Sequence, residues 1–69
     1  MATAVSVVSS ITLANAQAWW AIKDPYARDQ YLQTLMAGLS VSPVDDFAIS
    51  LARSTCKNLL GTVGSPVQV

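Results

Sequence analysis

The sequence contains no histidine and a single cysteine, Cys56. Zinc sites are built mainly from cysteine and histidine, so this composition argues against a zinc centre. A lone cysteine cannot form an intrachain disulfide, and the sequence places no general base beside it, so we interpret Cys56 as a small buried side chain. Asp45 and Asp46 are adjacent carboxylates, but they lack the third ligand or base that a reactive site needs. We therefore expect no catalytic residue, no bound metal and no cofactor.

Charged side chains are also scarce. Four basic and four acidic residues cancel to a formal net charge of zero and make up 12% of the chain, whereas 52% is hydrophobic. An ordinary soluble domain carries about 25% charged residues. The 69 residues form one domain, 1–69, and a chain of this size buries only about 60% of its unfolded surface. Because disulfides and metals are not expected to stabilise it, we predict stabilisation by oligomerisation.

The first 22 residues contain no charge, no glycine and no proline. Between Val5 and Leu13, apolar residues alternate with polar ones, a pattern typical of a strand. At helical spacing, a second apolar stripe extends from Val8 to Ile22 and includes several alanines, which favour helix. We predict a helix from about Ser10 to Ile22, extended back towards Thr3 so that it covers about 3–22, and leave strand open for residues 4–13.

This uncharged segment also raises two membrane alternatives. It is long enough to cross a bilayer, and its tryptophans are residues that favour the membrane interface. However, seven of its 22 residues are Ser, Thr, Asn or Gln, so it is less apolar than a usual span. The "ANA" at 14–16 resembles a signal-peptidase site, but the basic n-region and a clean apolar core are missing. Of the two alternatives, a helix in or on the bilayer is the one we keep.

A second helix has a clear start signal. Asp24 followed by Pro25 is a common pair of N-cap and first helical residue. Apolar residues then recur at three- and four-residue spacing until Gly38 and the "LSVSP" that follows supply the stop. We predict a helix over 25–38.

A third helix is predicted over about 43–60. Ser42, Pro43 and Asp45 resemble a capping box with a proline at the first helical position, and Gly61 supplies the stop. The first apolar face of this helix consists of Val44, Phe47, Ala48, Leu51, Thr55 and Leu59. A second set of residues widens this face: Ile49, Ala52, Cys56 and Leu60. Residues 62–69 are predicted to be extended. The fold class is therefore all-α, with two to three helices in a hairpin-like arrangement at about 3–22, 25–38 and 43–60.

Four aromatic residues lie within thirteen positions: Trp19, Trp20, Tyr26 and Tyr31. They either form a shared core where the first two helices meet or contact other subunits. Neighbouring residues on a helix point about 100° apart, so both tryptophans rarely enter one core, and at least one is expected at an interface. The predicted subunit-interface residues are these four and Phe47.

The basic residues form two pairs. Arg53 and Lys57 share a helix face and could meet phosphates together, and Lys23 and Arg28 could do the same elsewhere. A single neutral copy would bind nucleic acid weakly, but many copies could line a channel with these groups. Salt bridges between subunits, made with the four aspartates, are the interpretation that we favour for the same charges. The four basic residues are nevertheless kept as candidate nucleic-acid contacts.

These observations predict a structural subunit that assembles in many copies. In general type the chain is similar to the small all-helical coat subunits of rod-shaped or filamentous viruses, a resemblance of size and composition that no motif carries. It implies a virion or extracellular filament, with packaged nucleic acid as a second partner. The alternatives are an accessory, membrane-associated subunit of a membrane complex, with residues 3–22 in or on the bilayer, and a small binding module for one larger protein.

Overall fold

The computed structural model describes residues 3–62, and 78% of these residues are helical. The α-helices are α1 (Ala4–Val7), α2 (Leu13–Ala21), α3 (Pro25–Gly38) and α4 (Asp46–Thr62), and a 3₁₀ turn, Val8–Ser10, follows α1. No strand is present between residues 3 and 62. The described part of the chain is therefore all-α, as the sequence predicted.

The part of the predicted helix from about 10 to 22 is present as α2, but one continuous helix over 3–22 is wrong, because the chain bends at Ile11 and Thr12. Both residues are extended, and the side chain of Ile11 is buried in the core. Thr12 starts α2 with a reciprocal capping box: its Oγ1 accepts from the backbone N–H of Asn15 at 3.2 Å, and Asn15 Oδ1 accepts from the N–H of Thr12 at 3.0 Å. The strand alternative for residues 4–13 is also not observed. None of the helices within residues 3–62 has the length and hydropathy needed to cross a bilayer.

Helix α3 has the predicted bounds, 25–38. The carboxylate of Asp24 accepts from the backbone N–H of Ala27 at 2.9 Å and so caps the first turn. At its other end, Ser40 adopts a left-handed conformation with φ 71°. The N–H of Ser40 donates to Ala37 O, and the N–H of Val41 donates to Met36 O at 3.0 Å, which is the hydrogen-bond pattern of a Schellman motif. The stop is therefore made by Ser40, which lies within the predicted stop segment, and Gly38 is the last residue of the helix.

Helix α4 begins three residues later than predicted, because Asp45 is its N-cap. Asp45 Oδ1 accepts from the N–H of Ala48 at 2.9 Å, and its carbonyl accepts from Ile49 at 3.0 Å. Ser42 and Pro43 precede the helix, so the predicted start at 43 is wrong. The helix continues through Gly61 to its last residue, Thr62. The rest of the predicted extended tail, 63–69, lies outside the described residues.

Helix α4 lies at the centre of the fold and contacts α1, α2 and α3. Its buried residues recur every fourth position: Ala48, Ala52, Cys56 and Leu60. Three of these side chains are small, so neighbouring elements can approach the helix closely. Larger buried side chains from those elements complete a single core cluster; they include Ile11, Trp19, Leu32 and Met36. The face centred on Ala52 is therefore the core face, and Phe47, which the sequence placed on an apolar face, stands outside it.

Candidate interaction surfaces

A shallow cleft of about 400 Å³ forms where the end of α2, the start of α3 and the second half of α4 meet. We call it the cationic cleft; it is lined by Trp19, Trp20, Pro25, Arg28, Asp29, Arg53 and Lys57. Three of the four basic residues singled out in the sequence thus come together. The fourth, Lys23, is exposed and is not part of the lining.

The Arg28 side chain hydrogen-bonds to carbonyl groups at the C-terminal end of α2. Its Nη2 donates to the carbonyl of Trp20 at 2.9 Å, and its Nε donates to the carbonyl of Ile22. The last carbonyls of a helix have no partner within the helix, so the guanidinium satisfies groups that water would otherwise have to reach. The same guanidinium lies 4.6 Å from the ring centroid of Trp20 and 5.3 Å from that of Trp19, within cation–π range. Arg28 therefore ties α2 to α3 at the edge of the cleft.

The other two cations of the cleft differ in what they contact. Arg53 Nη2 pairs with Asp29 Oδ1 at 2.8 Å, joining α4 to α3, and both side chains are partly exposed. An ion pair with this exposure contributes about 0–1 kcal/mol. Lys57, one turn further along α4, is exposed and forms no ion pair within residues 3–62. With three cations against the single carboxylate of Asp29, the cleft carries an excess of positive charge.

The two adjacent tryptophans have different environments. Trp19 is 2% exposed and belongs to the core, and its indole N–H is buried without an acceptor in the part of the chain that the structure describes. Trp20 is 41% exposed at the cleft. Tyr31 is half-buried, and its hydroxyl accepts from Asn15 Nδ2 at 3.3 Å, whereas Tyr26 is 72% exposed. Of the four clustered aromatic residues, Trp20 and Tyr26 therefore offer a surface to another molecule.

A second surface lies at the start of α4. Val5 is 63% exposed and Phe47 is 61% exposed, and both line one shallow pocket of about 200 Å³ together with Pro43 and Asp45. Asp46, in the first turn of α4, follows Asp45 and precedes Phe47, and it lines the adjoining pocket with Asp45, Asp29 and Arg53. We call Val5, Pro43, Asp45 and Phe47, together with the flanking Asp46, the acidic–apolar patch. The sequence singled out Phe47 as an interface candidate but not Val5, because an alternating segment gives no signal for which of its valines stays exposed.

The remaining side chains to consider are the aspartates and Cys56. No group of three or more aspartate, glutamate, cysteine or histidine side chains in that range is placed to hold a metal ion. Cys56 is buried in the core, and burial raises the pKa of its thiol. The thiol is therefore protonated at neutral pH and is a packing group.

Searches against protein-family models, curated proteins and solved structures found no match to this chain.

Proposed function

We propose that this protein is a structural subunit that assembles in many copies, of the kind that forms the coat of a rod-shaped or filamentous particle. The observation that carries the proposal is the exposure of large apolar side chains on two separate surfaces of one small neutral chain. Phe47 and Val5 protrude at the acidic–apolar patch, and Trp20 protrudes at the cationic cleft.

Single exposed apolar residues are ordinary on soluble proteins, so the composition of each surface matters. Tryptophan and arginine are enriched among the residues that dominate binding energy at protein interfaces, and the cleft presents both. Fully burying an exposed aromatic or aliphatic side chain contributes about 1.5–3 kcal/mol, and Phe47 and Val5, which are about 60% exposed, retain more than half of the surface that such burial would remove from water. The net charge of zero provides no long-range repulsion between copies. Each of these properties favours contact between copies.

The packaged nucleic acid is a secondary part of the proposal. The cleft gathers Arg28, Arg53 and Lys57, but the first two already contact carbonyl and carboxylate groups of the same chain. A subunit with so few available cations would neutralise few phosphates, and affinity rises with the number neutralised. Nucleic acid would therefore bind an assembled array of copies and not the single subunit.

Electron microscopy and sedimentation velocity of the purified protein, without detergent, test the proposal. We expect regular rods or tubes whose amount rises with protein concentration. A monomer at every concentration would contradict the proposal, and material that stays in solution only with detergent would favour the membrane alternative.

Trp20→Ala and Phe47→Ala test the two surfaces. Each is expected to raise the concentration needed for assembly about tenfold or more, because truncating an aromatic anchor costs about 2 kcal/mol or more. Helical content by circular dichroism should not change, because both side chains lie outside the core. Gln17→Ala on α2 and Asn58→Ala on α4 are matched controls, since both residues are exposed and line neither surface. Trp19→Ala is not informative here because that indole is buried.

A further inference from the structure

The two surfaces carry opposite charge. The acidic–apolar patch has Asp45 in its lining and Asp46 at its edge, and the cationic cleft contains Arg28, Arg53 and Lys57 with one aspartate. Asp46 and Lys57 form no ion pair within residues 3–62, so neither charge is matched there. Each surface therefore has the charge that the other lacks.

The surfaces also lie at different levels of the molecule. Phe47 is in the first turn of α4, and Lys57 is ten residues further along the same helix. At a rise of about 1.5 Å per residue, this places them about 15 Å apart along the helix axis. One copy can therefore present both surfaces at the same time to two different neighbours.

A contact between the same surface of two copies is electrostatically unfavourable. If two patches met, the aspartates of one copy would face those of the other. If two clefts met, their basic side chains would face each other. Both contacts are disfavoured because juxtaposed like charges oppose association. Patch against cleft instead places the carboxylates of Asp45 and Asp46 opposite basic groups. It also places Phe47 against the exposed face of Trp20, so apolar surface is buried on both sides.

We propose that copies of this chain join head to tail, with the acidic–apolar patch of one copy seated in the cationic cleft of the next. This inference rests on the proposed assembly function and specifies its contact. A contact between two different surfaces leaves one of each free at the ends, so it builds an open filament or a ring. The occupant of the cleft is then a second copy of the chain, and nucleic acid packaged by the array would contact it outside the cleft, where Lys23 lies.

Charge reversal on one surface at a time tests the contact. Asp46→Lys and Lys57→Glu are each expected to raise the concentration needed for assembly at least about tenfold, because like charges then face each other. An equimolar mixture of the two variants should assemble again, because the intact patch of one fits the intact cleft of the other and the two reversed charges attract. Circular dichroism of each variant confirms that it is folded.

Lys23→Glu is the matched control for Lys57→Glu. It changes the net charge by the same amount, but Lys23 lies outside the cleft, so assembly should resemble that of the wild type. Assembly should also weaken with added salt, since the contact is partly between exposed charges.

Other outcomes overturn the inference in distinguishable ways. Wild-type assembly by both charge-reversal variants would refute the head-to-tail contact while the particles themselves still support the proposed function. A closed dimer of the wild type would refute the open contact. Assembly that requires added poly(U), with no recovery in the mixture, would assign the cleft to nucleic acid. A wild-type monomer at all concentrations would refute the proposed function together with the contact.

Discussion

Replacing Arg28 should destabilise the fold by an amount that can be worked out from its contacts. Arg28→Met keeps much of the side-chain length but removes two hydrogen bonds to the carbonyls of Trp20 and Ile22 and the cation–π contact with both indoles. The site is partly exposed, so water replaces some of what is lost, and each bond is taken as about 1 kcal/mol. The cation–π contact adds about 0.5–1 kcal/mol. The expected loss is about 2–3 kcal/mol.

That loss is large for this chain, because stability amounts to about 0.05–0.15 kcal/mol per residue. In a domain of this size each kcal/mol shifts Tm by about 4–8 °C, so Arg28→Met should melt at least about 8 °C lower. Thermal and urea unfolding followed by circular dichroism measure the change, at a concentration where sedimentation shows a single species.

Two variants serve as controls for Arg28→Met. Arg28→Lys keeps the charge but not the planar fork of donors, so it should be intermediate. Lys23→Met removes an exposed cation outside the cleft and should change stability by less than about 0.5 kcal/mol. If Arg28→Met also changed stability by less than about 0.5 kcal/mol, the guanidinium would not be holding α2 to α3.

Two further predictions concern the end of α3 and the buried thiol. Ser40→Gly should stabilise the protein by about 1 kcal/mol, because Ser40 has φ 71° and glycine adopts this conformation without strain. Gly38→Ala should stabilise it by about 0.5–1 kcal/mol, because Gly38 lies in the helix and an added Cβ would meet nothing within 4 Å. A decrease in Tm for either variant would contradict this reasoning. Burial raises the pKa of Cys56 above its ordinary value of 9.0, so the folded chain keeps a proton that the unfolded chain loses. The thiol should therefore have no effect on the free energy of unfolding below its unfolded pKa, and should lower that free energy as the pH rises above it. Cys56→Ala should remove this decrease, which unfolding measured over a range of pH would show. Equal slopes for the wild type and Cys56→Ala would refute the assignment.

Helix boundaries were predictable where the capping residue and the proline agree. Asp24 and Pro25 are adjacent, and α3 begins where they indicate. The bend at Thr12 was missed because its capping box is closed by Asn15, whereas glutamate or glutamine is the usual partner. Ser42 and Asp45 are both good N-caps in one short segment, and the sequence pattern favoured the first, but the backbone N–H of Ala48 pairs with the second.

The surfaces were predictable only in part. Spacing showed that Trp19 and Trp20 point in different directions, but the tertiary packing that decides which one is buried involves α4, more than twenty residues away. Arg53 and Lys57 share a face by helical geometry alone. That Arg28 joins them is a property of the fold, since α3 has to pack against α4 before the three meet.

The position of α4 has a consequence for how the protein comes to be folded. A ribosome releases α1, α2 and α3 before α4, yet each of these earlier helices packs against it. Until the segment containing Ala48, Ala52 and Cys56 has emerged, Trp19 and Leu32 lack the surface that completes their core. The three earlier helices therefore cannot bury those apolar side chains against their native partners until the central helix is available to them.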